Sequence, residues 1–208
     1  MTDLATLTRR AALLGIAASL GGCSALSSLN AAATPLATFD LLPVPGPASG
    51  PQSGRTILVA RPGTPAAITT DRIVIKPNPL SIAYLPEGRW PEELPSVLQS
   101  LLVRSISGTG RVAYVGPVEG GPVPDIVLLS RVDAFQAETA AAGVEVVVDL
   151  EMTLLNDRDQ RVIASRGFER RVRASGDVAT AVVPAFQAAL DAVLPEIADW
   201  VVAVTVRG

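Results

Sequence analysis

The chain has 208 residues, with 17 Lys and Arg against 20 Asp and Glu, and a net charge of −3. That balance offers no basic footprint for nucleic acid. There is no histidine, one lysine (Lys76) and one cysteine (Cys23), so Ser-His-Asp and Cys-His triads, zinc sites built on His or Cys clusters, and internal disulfides are excluded. Catalysis would have to rest on a carboxylate pair or a Ser-Lys dyad.

Arg9 and Arg10 precede an apolar run from Ala11 to Leu20, and Gly21-Gly22 follow it. A charged segment, a short apolar core and small residues before a cut are the layout of a signal peptide, here over residues 1–22. About ten apolar residues are too few to span a bilayer, which takes about 20. Thr8-Arg9-Arg10 also fits the start of a twin-arginine signal, although Ala12 stands where an aromatic is favoured; ordinary secretion and twin-arginine export both stay open. Leu20-Gly21-Gly22-Cys23 resembles the lipobox of bacterial lipoproteins. In that group the cysteine thiol receives a diacylglycerol, the peptide is cut just before it, and the new amine is acylated. Cys23 is therefore the expected lipid-attachment residue. Each buried methylene is worth about 0.8 kcal/mol, so one acyl chain holds marginally while several hold durably. A small, alanine-rich stretch through Pro35 completes a lipidated tether over 23–35, and the folded domain is expected over 36–208.

Within that domain Leu36–Leu42 reads as a first strand and Pro43–Gly54 as a Pro/Gly/Ser loop. Thr56–Ala60 is β-branched and strand-like. Thr70–Lys76 and Leu80–Leu85 flank Pro77-Asn78-Pro79, a hairpin whose prolines place it near a sheet edge. Pro91–Ser107 has an apolar stripe of helical period through Leu94, Val97, Leu98, Leu101 and Leu102. Glu92 and Glu93 suit its N-terminal end, Pro95 its first turn, and Gly108 its stop. Arg111–Val115 is a short strand, and Asp125–Phe135 reads as a covered central one.

Val144–Leu155 alternates, with Val144, Val146, Val148, Leu150, Met152 and Leu154 on one face and Glu145, Asp149, Glu151 and Thr153 on the other, Val147 being the exception. Arg161–Arg173 returns with Val162, Ala164, Phe168 and Val172 inward. A turn centred on Arg158 would set Glu145 opposite Arg171. Asp177 is placed to cap a second helix reaching Val202, interrupted by Pro184 and Pro195. The expected fold is α+β: a mixed, mostly antiparallel sheet with two amphipathic helices packed on one face.

Few motifs point to chemistry. Gly108-Thr109-Gly110 matches a loose dinucleotide fingerprint but closes a helix instead of opening one. Asp157 and Asp159 lack the glycine and later glutamate of a calcium loop. Arg166, Arg170, Arg171 and Arg173 form a basic cluster, read first as partners of Glu145, Asp149 and Glu151 on the neighbouring strand and otherwise as an anionic headgroup or partner contact. Trp90 and Trp200 read as core. No cofactor or metal site is expected.

Several features in order do point to a family: the lipobox, Phe39-Asp40-Leu41, Asp71-Arg72-Ile73, Tyr84, Trp90 before Leu94-Pro95 and Leu98, Leu154–Asp157, Phe168, and a last helix with Ala185, Ala188, Ala189 and Trp200. In these the chain resembles the ABC-type transport auxiliary lipoproteins, the group that includes the paraquat-inducible-type intermembrane transport lipoproteins. The resemblance implies an outer-membrane lipoprotein facing the periplasm. Its role there would be that of a non-enzymatic accessory to an ABC system whose mammalian-cell-entry subunit moves lipids across the envelope. It also implies membrane attachment by the lipid alone, and a homo-oligomer. The alternative is a lipoprotein that assembles lipopolysaccharide or another outer-membrane component.

Overall fold

A computed structural model describes residues 36–207; the signal segment, Cys23 and the tether lie outside the described residues. Ten elements follow in chain order: β1 (Ala37–Thr38), β2 (Ser53–Val59), β3 (Arg72–Asn78), β4 (Ser81–Arg89), α1 (Leu94–Ser107), β5 (Val112–Pro117), β6 (Ile126–Ala140), β7 (Gly143–Asn156), β8 (Val162–Arg173) and α2 (Ala179–Arg207). A single 3-10 turn, Ala66–Ile68, leads into β3.

The strands form one mixed sheet of eight. Its two longest ladders, β6–β7 and β7–β8, are antiparallel, as is the β3–β4 hairpin. Parallel pairs join β1 to β4, β2 to β5, β2 to β6 and β3 to β6. Strand β6 is central because its composition permits it. Ile126, Leu128, Val132, Phe135 and Ala137 are buried on the inward face, and nothing in it lacks a backbone donor. The inward faces of the strands and both helices share one hydrophobic core, so the expected α+β class and one-sided helix layer hold. Within the core, Phe135 of β6 stacks on Phe186 of α2 with ring centroids 4.6 Å apart. Trp90 sets its edge against both rings, at 6.1 and 5.4 Å.

The β7 alternation is realised residue for residue: all six expected inward positions are buried. The β7–β8 pairing is antiparallel as expected, but its register differs. Glu145 lies opposite Arg173, and Arg171 lies opposite Val147. The turn is longer than one centred on Arg158. Asn156 donates its backbone N–H to Arg161, Gln160 takes φ 57°, and the register shifts again between Leu154 and Leu155. The bulge places an extra residue on β8, so Val162 turns outward and is 62% exposed instead of joining Ala164 inside.

Other boundaries move for local reasons. Only Ala37 and Thr38 of the expected first strand pair with the sheet. Beyond them Leu42 donates to Gln187 and Val44 to Ser105, since Pro43, Pro45 and Pro47 cannot sustain a ladder. Strand β2 begins at Ser53, inside the expected loop, and β3 begins at Arg72. Strand β4 runs on through Pro86-Glu87-Gly88 to Arg89, where its outer neighbour is the two-residue β1 and a missing donor costs little. Gly88 permits a close approach: a Cβ there would lie 2.8 Å from the Phe39 ring. Strand β5 is displaced to Val112–Pro117, and β6 continues five residues past Phe135.

Helix α1 starts at Leu94, not Pro91, with Pro95 in its first turn. Helix α2 starts at Ala179; Val178 supplies the first carbonyl, so Asp177 is not its cap. It passes through Pro184 and Pro195 without ending. Each proline forfeits about 3 kcal/mol in an isolated helix. Burial of Val182, Phe186, Ala189, Leu190, Val193 and Ile197 offsets that.

Phe186→Ala empties the centre of this core and is expected to destabilise the domain by about 3–5 kcal/mol. Urea unfolding measures it; a loss under about 1 kcal/mol would remove the aromatic trio as the centre of the core.

Candidate interaction surface

The sequence-flagged groups within the described residues resolve into structure. Trp90 is 1% exposed, and Trp200 lies edge-on to Phe168 at 5.7 Å. Gly108 is the C-cap of α1, and Thr109 donates its hydroxyl to Ile106. Asp159 accepts from the backbone of Arg161, which makes the Asp157–Asp159 stretch a hairpin turn. Among the described residues no cluster of three acidic, His or Cys side chains could hold a metal.

The basic cluster divides between the two faces of β8. Arg170 points inward and pairs with Glu196 of α2. Arg166 lies over the Phe168 ring at 4.7 Å. Arg171 points outward and gathers Glu169, Glu145 and Glu138 at 2.9, 3.4 and 3.5 Å. The expected pairing with the neighbouring strand therefore holds for Arg171, which meets Glu145 diagonally and not across the ladder, whereas Arg170 pairs with α2 instead.

The uncovered face of β6, β7 and β8 is a charged checkerboard. Glu138, Glu145 and Arg173 make one row, and Arg131, Glu151 and Gly167 another. Between them Asp149 lies opposite Glu169. Partial burial, then the neighbouring Glu169, Asp133 and Glu151 carboxylates, push the Asp149 carboxyl above its ordinary value. Asp133 is held below the usual range by the hydrogen bonds from Arg131, made at 2.7 and 2.8 Å. These carboxylates lie on the face of the sheet away from the helices. A mixed-charge face of this kind suits salt-dependent contact with another protein.

Two shallow grooves flank the exposed side of α1. One, of about 150 Å³, lies between the helix and Asp40-Leu41. The other, of about 330 Å³, runs toward Val103 and Pro117. Glu92, Ser96, Ser100 and Arg104 border both. The groove beside Asp40-Leu41 is lined mainly by polar groups, whereas the lining toward Val103 and Pro117 is mainly apolar. No helix among the described residues is long and apolar enough to cross a membrane.

A family model for the ABC-type transport auxiliary lipoprotein component matches residues 39–198. A crystal structure of a Xanthomonas campestris protein superposes with a TM-score of 0.74 at 27% identity, covering 82% of this chain and 96% of that one. A crystal structure of an uncharacterized protein shares the fold with a TM-score of 0.63 at 16% identity, covering 81% and 99%. No curated protein matches the sequence.

Asp149 gives this face a pH signature. Its carboxyl holds a proton more tightly in the folded domain than in the unfolded chain, so its charge costs stability at neutral pH. The cost disappears as pH falls through the raised pKa to the ordinary value. Asp149→Asn is expected to stabilise the domain at pH 7 by about 0.2–1 kcal/mol, and the gain should vanish in acid. Urea unfolding at the two pH values checks this; an equal gain at both would refute a destabilising charge on Asp149.

Proposed function

The chain belongs to the ABC-type transport auxiliary lipoprotein component family, and from that premise we propose that it is a periplasm-facing accessory subunit of a lipid-transporting ABC system. Its anchor would be acyl chains on Cys23 in the outer membrane, and its partner the mammalian-cell-entry subunit of the transporter. The observation that carries the reading is the family match over 39–198 in a chain whose N-terminus ends a signal-like run at Leu20-Gly21-Gly22-Cys23. Ser24 follows the cysteine, not the Asp that commonly retains such proteins at the inner membrane of enterobacteria; this supports the outer membrane.

The protein's role is that of a docking factor and not of an enzyme. The ionisable groups of the described domain are largely spent on structure: Arg170 on Glu196, Arg171 on three glutamates, Arg111 on Asp199. What remains outward is a mixed-charge sheet face and the shallow grooves beside α1, both suited to protein contact. A lipid tether raises the effective concentration of such a domain near its partner without new contacts. Self-association into a ring or smaller oligomer is part of the same proposal.

Intact-mass measurement of membrane-extracted protein should show a diacylglyceryl and an N-acyl group on Cys23, and Cys23→Ala should leave the precursor uncut and unacylated. An unmodified thiol in the mature product would refute the anchor. The acylated full chain should capture the mammalian-cell-entry subunit at micromolar concentration, and deleting the gene should impair lipid transport. Absence of both effects would overturn the transporter reading.

A further inference from the structure

Strands β3 and β6 run parallel, with Ile75 beside Ala137 and Lys76 beside Glu138. Their following turns therefore emerge at the same end of the sheet. One turn is Asn78-Pro79-Leu80-Ser81, closed by Leu80 N–H donating to Asn78 at 3.0 Å. The other is Ala140-Ala141-Ala142-Gly143, where Gly143 takes φ 118°. Every residue from Pro77 to Ile82 and from Thr139 to Gly143 is exposed, and none is charged. Leu80 is 97% exposed and Ile82 50%. Behind this rim stands a collar of Lys76, Glu138, Glu145 and Arg173, formally neutral, with Arg171 bridging the two glutamates. The opposite end of the β7 ladder carries the turn Asp157-Arg158-Asp159-Gln160-Arg161, four of whose five residues are charged.

The polarity of β1 identifies what the uncharged end faces. Strand β1 runs parallel to β4, with Ala37 beside Gly88. The N-terminal end of β1 therefore lies on the side on which β4 begins, which is the side of the two turns. From Gly88 back to Ser81 is at most about 23 Å at 3.3 Å per residue, and less where the β3–β4 register shifts. The fourteen peptide units from Cys23 to Ala37 reach at most about 50 Å, enough for the turns to touch the surface in which Cys23 is anchored.

We infer that the β3–β4 and β6–β7 turns form a membrane-contact surface that seats Leu80, Pro79 and Ile82 in the interface of the bilayer holding the Cys23 lipid. This rests on the lipoprotein reading above. Small apolar groups without flanking net charge enter the boundary between headgroups and acyl chains without desolvating an ion. Contact there adds a second attachment to the lipid anchor, fixes the orientation of the domain, and presents the charged Asp157–Arg161 turn away from the membrane.

The test uses the acylated full chain in vesicles of phosphatidylethanolamine and phosphatidylglycerol with brominated chains. Acylation consumes Cys23, so Leu80→Cys, Ala141→Cys or Asp159→Cys each supplies a unique thiol for a polarity-sensitive dye. Dyes at 80 and 141 should shift to the blue and lose about two-fold in emission to the bromines, as a site within about 5–10 Å of the acyl boundary does. The dye at 159 should do neither. In the Leu80→Asp, Ile82→Asp double variant, the dye at 141 should lose its quenching while the protein still floats with the vesicles. Floating protein whose dye at 80 is as unquenched as that at 159 overturns the inference and leaves the anchor intact. Protein that does not float overturns the anchor reading, and the inference with it. A dye at 80 that is shielded from solvent but not quenched by lipid also overturns it, in favour of a protein occupant.

Discussion

Strand β6 is the constraint on which the rest of the domain depends. One of its edges is paired with β7 from Ile126 to Ala140. The other is shared: β2 occupies Ile126–Leu128 and β3 occupies Ala137–Glu138. Between them Gly63 exchanges backbone hydrogen bonds with Ser130 and Val132, and the β6–β7 register shifts at Asp133. A strand buried between three partners must be apolar on its inner side and free of proline, and β6 meets both conditions. Just past the register shift, Phe135 places its ring between Trp90 and Phe186. The sheet's bend and the helix layer therefore meet at one residue.

The second constraint holds the Pro/Gly loop that precedes β2. Arg111 is nearly completely buried and donates to the carbonyls of Pro47 and Pro51 and to Asp199 of α2, at 3.2, 3.0 and 2.7 Å. Gly50 takes φ 129°, and a Cβ there would lie 2.9 Å from the guanidinium. A loop with few donors of its own is thus held by one fork of five donors. The same stretch frees β1 from the sheet after two residues and sends the chain across both helices.

The outward surface follows from these two arrangements. Helices cover one side of the sheet, so the other must carry polar residues, and the β6–β7–β8 face balances them by pairing opposite signs. Val147, the one apolar outward residue in the charged stretch of β7, is still buried, lying across from Gln136 and Arg171. Apolar groups are left exposed chiefly at turns and edges, where the sheet has no covering layer.

Much of this was legible in the sequence. Period-two alternation in Val144–Leu154 and the helical stripe in Leu94–Leu102 name the residues that face the core, because an amphipathic element has only one favourable side to bury. The tether and lipid attachment at Cys23 are expectations from the sequence that lie outside the described residues. Tertiary structure alone decided the rest. A turn one residue longer than one centred on Arg158 and a one-residue bulge at Ile163 together moved Glu145 from Arg171 to Arg173, and the bulge turned Val162 outward. Register depends on the backbone geometry of a turn, which composition does not specify. Burial carried α2 through Pro184 and Pro195, a cooperative gain that no local window records. Arg111 and Asp199 are 88 residues apart, and the two uncharged turns share one end only because β3 and β6 run parallel. Local sequence sets which face of an element is apolar; which elements meet is set by the packing of the whole chain.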